Sequence, residues 1–254
     1  RRASELVTGH SADLAGRAVA VVLGLDLPAV AHSANAPFAR LGTGEDAGAR
    51  GAVRRAAALL RRVLRAKPKS VVVLSQLGPA PGEDGGGGGG GLDALVRKTL
   101  TLKPFESILS EHVGAKIKFC ETIEALQALH RKSPETVALL EHITSGKLLP
   151  PLPPLRDDSP DEEECLFNFG LDGEEAAARR EAEAAAVDVG RALSGLVDVL
   201  VVDDPGTLGA PDTALANLRP RAGLRVMGPS LHMEVAALAH VLERGGQGRG
   251  PLVG

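Results

Sequence analysis

Residues 18–25 read AVAVVLGL and close on Asp26-Leu27-Pro28. The run is apolar without a break and rich in β-branched side chains. A strand with one wet face alternates polar and apolar residues, whereas an unbroken run of this length fits a strand buried on both faces. The same signature returns at Ser70–Leu74 (SVVVL), 136–140 (TVALL) and 198–202 (DVLVV), with a shorter strand expected at 116–119. Helical spacing fills the intervals. Over 49–65, Val53, Ala57, Leu60 and Leu64 recur in steps of three and four and therefore share one helix face. Further helices are expected at 92–100, 104–113 (ended by Gly114), 122–130, 174–196 and 230–244. Strands that alternate with helices at this spacing build βαβ units. The expected fold is therefore a doubly wound parallel α/β sheet, Rossmann-like, covered by helices on both faces.

Composition narrows the function. The chain has 254 residues, 44% hydrophobic, which suffices for one large domain or two small ones and excludes wholesale disorder. Its five aromatic residues are all Phe, so the core is aliphatic and a base-stacking platform for single-stranded nucleic acid lacks its rings. A net charge of -3 also argues against a general polyanion binder, and no nucleic-acid partner is expected. No apolar run approaches the ~20 residues that span a bilayer, so no membrane partner is expected. Cys120 and Cys165 fit neither a disulfide scaffold nor a zinc spacing and read as ordinary thiols. The chain starts at Arg1-Arg2 without a Met or a signal-peptide core, which reads as part of something longer.

Several features could carry chemistry, and each has a plainer reading. Gly85–Gly91 is a run of glycines without the Lys and Ser/Thr that a phosphate loop needs at fixed offsets, so it reads as a flexible insertion. Residues 147–164 are acidic and Pro-rich and read as a surface insertion. Asp203-Asp204 at a strand end could hold Mg²⁺, but Asp-Pro-Gly is also a strong turn sequence. The seven histidines show no HxxxH or HExxH pairing, and Ser75 lacks the GxSxG frame of a nucleophile elbow. The basic helix face around Arg50, Arg54, Arg55, Arg61, Arg62 and Arg65 could bind anions or simply be solvated. The residue pattern alone yields an α/β domain without a visible active site.

The order of the segments resembles the N-terminal half of phosphoglycerate kinase. Residues 13–28 (DLAGRAVAVVLGLDLP) resemble that family's opening GKRVxxRVDFNVP, and 70–78 (SVVVLSQLG) its SVVLxSHLGRP. Residues 101–119 (TLKPFESILSEHVGAKIKF) are similar to SLxPVAxxLxxLLGxxVxF, and VALLE at 137–141 with His142-Ile143 is similar to VxLLENLRF. DVLVVDDPGT at 198–207 resembles DVYVNDAFGT, residues 223–231 resemble GFLMxKEL, and 251–254 resemble the PFxAILGG strand. The resemblance implies one domain over 1–228 with flexible insertions at 79–91 and 147–173. It further implies an interdomain helix and the start of a missing C-terminal domain over 229–254. A complete glycolytic kinase of this family binds 3-phosphoglycerate on a basic cluster of its first domain and Mg-ATP on its second, and closes a hinge to transfer a phosphoryl group.

The residues that would bind substrate depart from the family at most matching positions. The substrate-binding Asp falls at Gly24 and the Asn at Asp26; the His falls at Gln76; two arginines fall at Thr144 and Ala210. The Arg position of SHLGRP is Pro79, and the one retained Arg is Arg50, at a helix start whose register is two residues longer. Asp203 is retained, in a structural supporting role near the substrate. A 3-phosphoglycerate site neutralises about three negative charges, largely through Arg forks. Losing three or four cations removes roughly 5–10 kcal/mol as a non-additive upper figure.

The resemblance therefore implies a domain with no catalytic residue, no metal site and no cofactor of its own, Mg-ATP entering only if a C-terminal domain exists elsewhere. On this expectation 3-phosphoglycerate does not bind usefully and the chain acts as a pseudoenzyme, a scaffold or module for a protein partner or larger assembly. The alternative is the first half of an active phosphoglycerate kinase. A third reading is a small-ligand sensor lined by the Arg50 helix, Gln76 and Asp203. The family resemblance implies a cytoplasmic location, with organellar forms in the family.

Overall fold

The computed structural model describes residues 11–25, 47–75, 101–141, 173–204 and 214–247. A 3-10 turn, Ser11–Leu14, leads into β1 (Ala18–Val22). There follow α1 (Ala47–Arg65), β2 (Ser70–Leu74), α2 (Phe105–Val113), β3 (Ile117–Cys120), α3 (Ile123–Lys132) and β4 (Val137–Leu140). The chain continues as α4 (Gly173–Ser194), β5 (Val199–Val202), α5 (Ala214–Asn217), β6 (Leu224–Met227) and α6 (Pro229–Gln247). The six strands form one sheet in the order β3-β4-β2-β1-β5-β6, and every pairing is parallel. The doubly wound α/β expectation is met.

The 18–25 run supplies the central strand, and its two faces feed two separate cores. Val19 and Val21 join Val71, Val73, Val199 and Val201 in a cluster covered by α1 and α2. Ala20 and Val22 join Val72, Leu74, Leu200 and Val202 in a second cluster covered by α3, α4 and α5. That is the period of two expected of a pleated strand, with both faces apolar because helices cover both. On α1, Val53, Ala57 and Leu60 are buried as the spacing predicts, while Leu64 packs at the margin.

The strand ends earlier than the apolar run does. Leu23 N–H still donates to Leu74 O at 2.9 Å, but Leu25 N–H donates to Leu23 O and to Ser75 Oγ, so the backbone turns out of the ladder around Gly24. Caps fix the helix ends. Gly114 follows α2 with φ 72° and donates to Ser110 O, as a left-handed C-cap does; Thr122 Oγ1 accepts from Ala125 N–H at the start of α3. The sheet has two edges. On β3, exposed Lys118 interrupts the apolar pattern, a common device against strand-to-strand aggregation. The other edge is β6, which the sequence pattern did not signal: of its four residues only Val226 is buried, and Arg225 stands in the middle. The expected helix at 92–100 and the insertions at 79–91 and 147–173 lie outside the described residues, except that Gly173 opens α4.

Candidate functional site

In an open parallel sheet the ligand crevice forms at the carboxyl ends of two neighbouring strands whose connections leave in opposite directions. Here that point lies between β1 and β5. The chain leaves β1 towards β2 on one side and leaves β5 towards β6 on the other. Gly24 follows β1 and Asp203-Asp204 follow β5, so both features singled out from the sequence meet at the crevice. Gly24 is exposed, and a Cβ placed on it would stand 3.3 Å from Asp204 Oδ1. The carboxylate that the family resemblance puts at position 24 would therefore face a second carboxylate.

The buried polar side chains at this end of the sheet are engaged in holding the chain together. Asp203, 8% exposed, accepts from Ser230 N–H at 2.6 Å, from Ser230 Oγ at 2.9 Å and from Leu231 N–H at 3.4 Å. It thereby satisfies the orphan amides in the first turn of α6, and its negative charge sits at the positive end of that helix. Gly228 makes the approach possible. A Cβ there would overlap Asp203 Oδ1 and lie 2.5 Å from its Cβ. Such a carboxylate is a helix cap bridging β5 and α6, which accounts for it without a metal role.

Glu141, 1% exposed after β4, accepts from Thr101 Oγ1 at 2.7 Å and Leu102 N–H at 2.9 Å. It pins the segment that enters α2. Ser75, fully buried after β2, accepts from Leu25 N–H at 3.3 Å. No nucleophile with an adjacent base is formed by these contacts. Cys120, at the end of β3, is pushed up to about 11 by burial, with Glu106 adding to the shift and Lys118 opposing it, so its thiol stays protonated and unreactive at neutral pH. Among the described residues, no three His, Cys, Asp or Glu side chains gather in a metal-holding group. Among them too, no helix is long and apolar enough to cross a membrane.

Of the sequence-derived site residues, the structure places Gly24 at the crevice and Arg50 in the opening turns of α1, whose first residues also start from the carboxyl end. Asp26, Gln76, Thr144 and Ala210 lie outside the described residues. Glu141 was not singled out by sequence reasoning. Its signals were a carboxylate directly after the apolar run at 136–140, which also fits an ordinary strand end, and the Glu of the VALLE segment.

No protein-family model matches the chain, and no curated protein matches it. Among solved structures, the phosphoglycerate kinase of Coxiella burnetii is similar over 89% of this chain and 42% of its own, at 19% identity and a TM-score of 0.44. The chain thus spans less than half the length of that structure.

Proposed function

We propose that this chain is a phosphoglycerate-kinase-like domain whose 3-phosphoglycerate site is eroded and whose role is to scaffold or bind a protein partner. The observation that carries the reading is Gly24 at the strand-order switch point, where a side chain would meet the Asp204 carboxylate. A site for a phosphorylated carboxylate needs cations and exposed donors there. Among the described residues, a glycine stands there beside Asp204, with the buried carboxylates of Asp203 and Glu141 at the ends of β5 and β4. Like charge at short range in a partly desolvated crevice opposes an anionic substrate. The order of the family-like segments, with Gly24, Asp26, Gln76, Thr144 and Ala210 at the positions of the family's binding residues, supplies the rest of the support. Titration with 3-phosphoglycerate is expected to show no micromolar binding; micromolar affinity would refute the proposal.

A second reading, the first half of an active two-domain kinase, draws on α6. Met233, Leu238, Val241 and Leu242 are 63–75% exposed on that helix, and Val235 is 38% exposed. Of these, Val235, Leu238 and Leu242 extend the line of buried Leu231 in steps of four, three and four, which is the seam a helix buries against a neighbour. A coding sequence that continues beyond Gly254 into a nucleotide domain, together with turnover of Mg-ATP and 3-phosphoglycerate in a coupled assay, would favour it.

A further inference from the structure

The amino end of the sheet, opposite the crevice, carries a different electrostatic character. Three helices finish there on cations: Arg62 and Arg65 in the last turn of α1, Arg131 and Lys132 in that of α3, Arg191 in that of α4. Cations at helix C-termini complement the macrodipole, and that alone explains most of them. It does not explain the cavity that Arg131 helps to line. A hollow of about 330 Å³ opens where the starts of β1 and β2, the last turn of α3 and the turn after α4 meet. Lys69, Arg131 and Arg221 line it together with His130, and Ala18 and Leu196 contribute apolar wall.

The cations are not equivalent. Arg221 is fixed by Asp198 at 2.8 Å, and Asp198 is held in turn by Ala18 N–H at 2.8 Å. Among the described residues, no carboxylate pairs with Lys69 or Arg131. Nε2 of His130 is shut off from solvent and has no hydrogen-bond partner among the described residues. A buried imidazole nitrogen left unpaired is costly and uncommon. Lys69 and Arg131, which have no ion-pair partner among the described residues, and Arg221 on a fixed arm thus line one hollow of small-ligand size, with the His130 ring in its wall.

We propose that this cavity is a binding site for a small phosphomonoester, with the phosphate on Lys69, Arg131 and Arg221 and the organic part against Ala18 and Leu196. Arg planes and a Lys ammonium suit a phosphate dianion, and the volume exceeds what inorganic phosphate alone would fill. The site is independent of the crevice reading, because it lies at the other end of the strands and uses none of the same residues.

The test is titration of the whole chain with inorganic phosphate and with phenyl phosphate, read by calorimetry and by amide and imidazole chemical shifts. Both ligands are expected to saturate in the millimolar range, phenyl phosphate more tightly, with the His130 ring resonances among those that move. Lys69→Met with Arg131→Met should weaken binding about tenfold or more, the effect of losing charged hydrogen bonds. Arg191→Met, whose side chain pairs with Asp188 outside the cavity, should leave it unchanged. Failure of both ligands to saturate overturns the proposal. Equal weakening by Arg191→Met does so as well, since it would show only a diffuse positive face.

Discussion

Asp203 illustrates how a residue that reads as functional can be structural. Its three acceptor contacts to Ser230 and Leu231 hold the start of α6 against β5. Asp203→Ala leaves two amide donors of the first helical turn without a partner, so a loss of about 2–3 kcal/mol is expected in urea unfolding. Asp203→Asn, which keeps one acceptor oxygen, should lose less. His130 supplies a second residue-scale expectation. Burial lowers its pKa below the ordinary 6.5. The unfolded chain therefore takes up the imidazole proton at a pH where the folded chain does not. Above that window the histidine is neutral in both states and adds no pH dependence; as pH falls through about 6.5 the unfolded state gains a proton and stability drops. The urea midpoint of the native chain should fall between about pH 7.5 and about pH 5.5, and His130→Gln should flatten that slope.

At the scale of elements, two glycines in helices should respond with opposite sign. A Cβ on Gly190 in α4 would lie 2.7 Å from Ala214 O and 2.7 Å from Asn217 Cβ, because α5 packs directly on that turn. Gly190→Ala should therefore destabilise by about 1–3 kcal/mol despite its better helix propensity. A Cβ on Gly51 in α1 would meet only the mobile end of Arg55, at 3.3 Å, so Gly51→Ala should stabilise by up to about 1 kcal/mol. Chemical denaturation of both variants checks the pair. The contrast also marks what was legible in the sequence. The central strands could be read because burial on both faces leaves an uninterrupted apolar run, and α1 because its apolar face keeps helical steps. The edge strand β6 and the four-residue α5 could not. Their register is set by backbone pairing to β5 and by packing on Gly190, and neither leaves a local pattern.

At the scale of the molecule, the sheet separates two chemistries by the length of its strands. The carboxyl end gathers Gly24, Ser75, Glu141, Asp203 and Asp204; the amino end gathers Lys69 and Arg131, without an ion-pair partner among the described residues, with Arg221. The first grouping was partly legible, because strand ends are visible in sequence and fall at fixed positions after the apolar runs. The second was not, because Lys69, His130, Arg131 and Arg221 come from three separated segments that only the parallel crossovers bring together.

Under the proposed function, the crevice between β1 and β5 does not bind 3-phosphoglycerate. The most direct measurement is a chemical-shift titration of 3-phosphoglycerate into the chain carrying Lys69→Met and Arg131→Met, which silences the amino-end cavity. No saturable shifts are expected at Gly24, Leu25, Ser75, Asp203 or Asp204. Saturating shifts at those residues, with micromolar affinity, would contradict it.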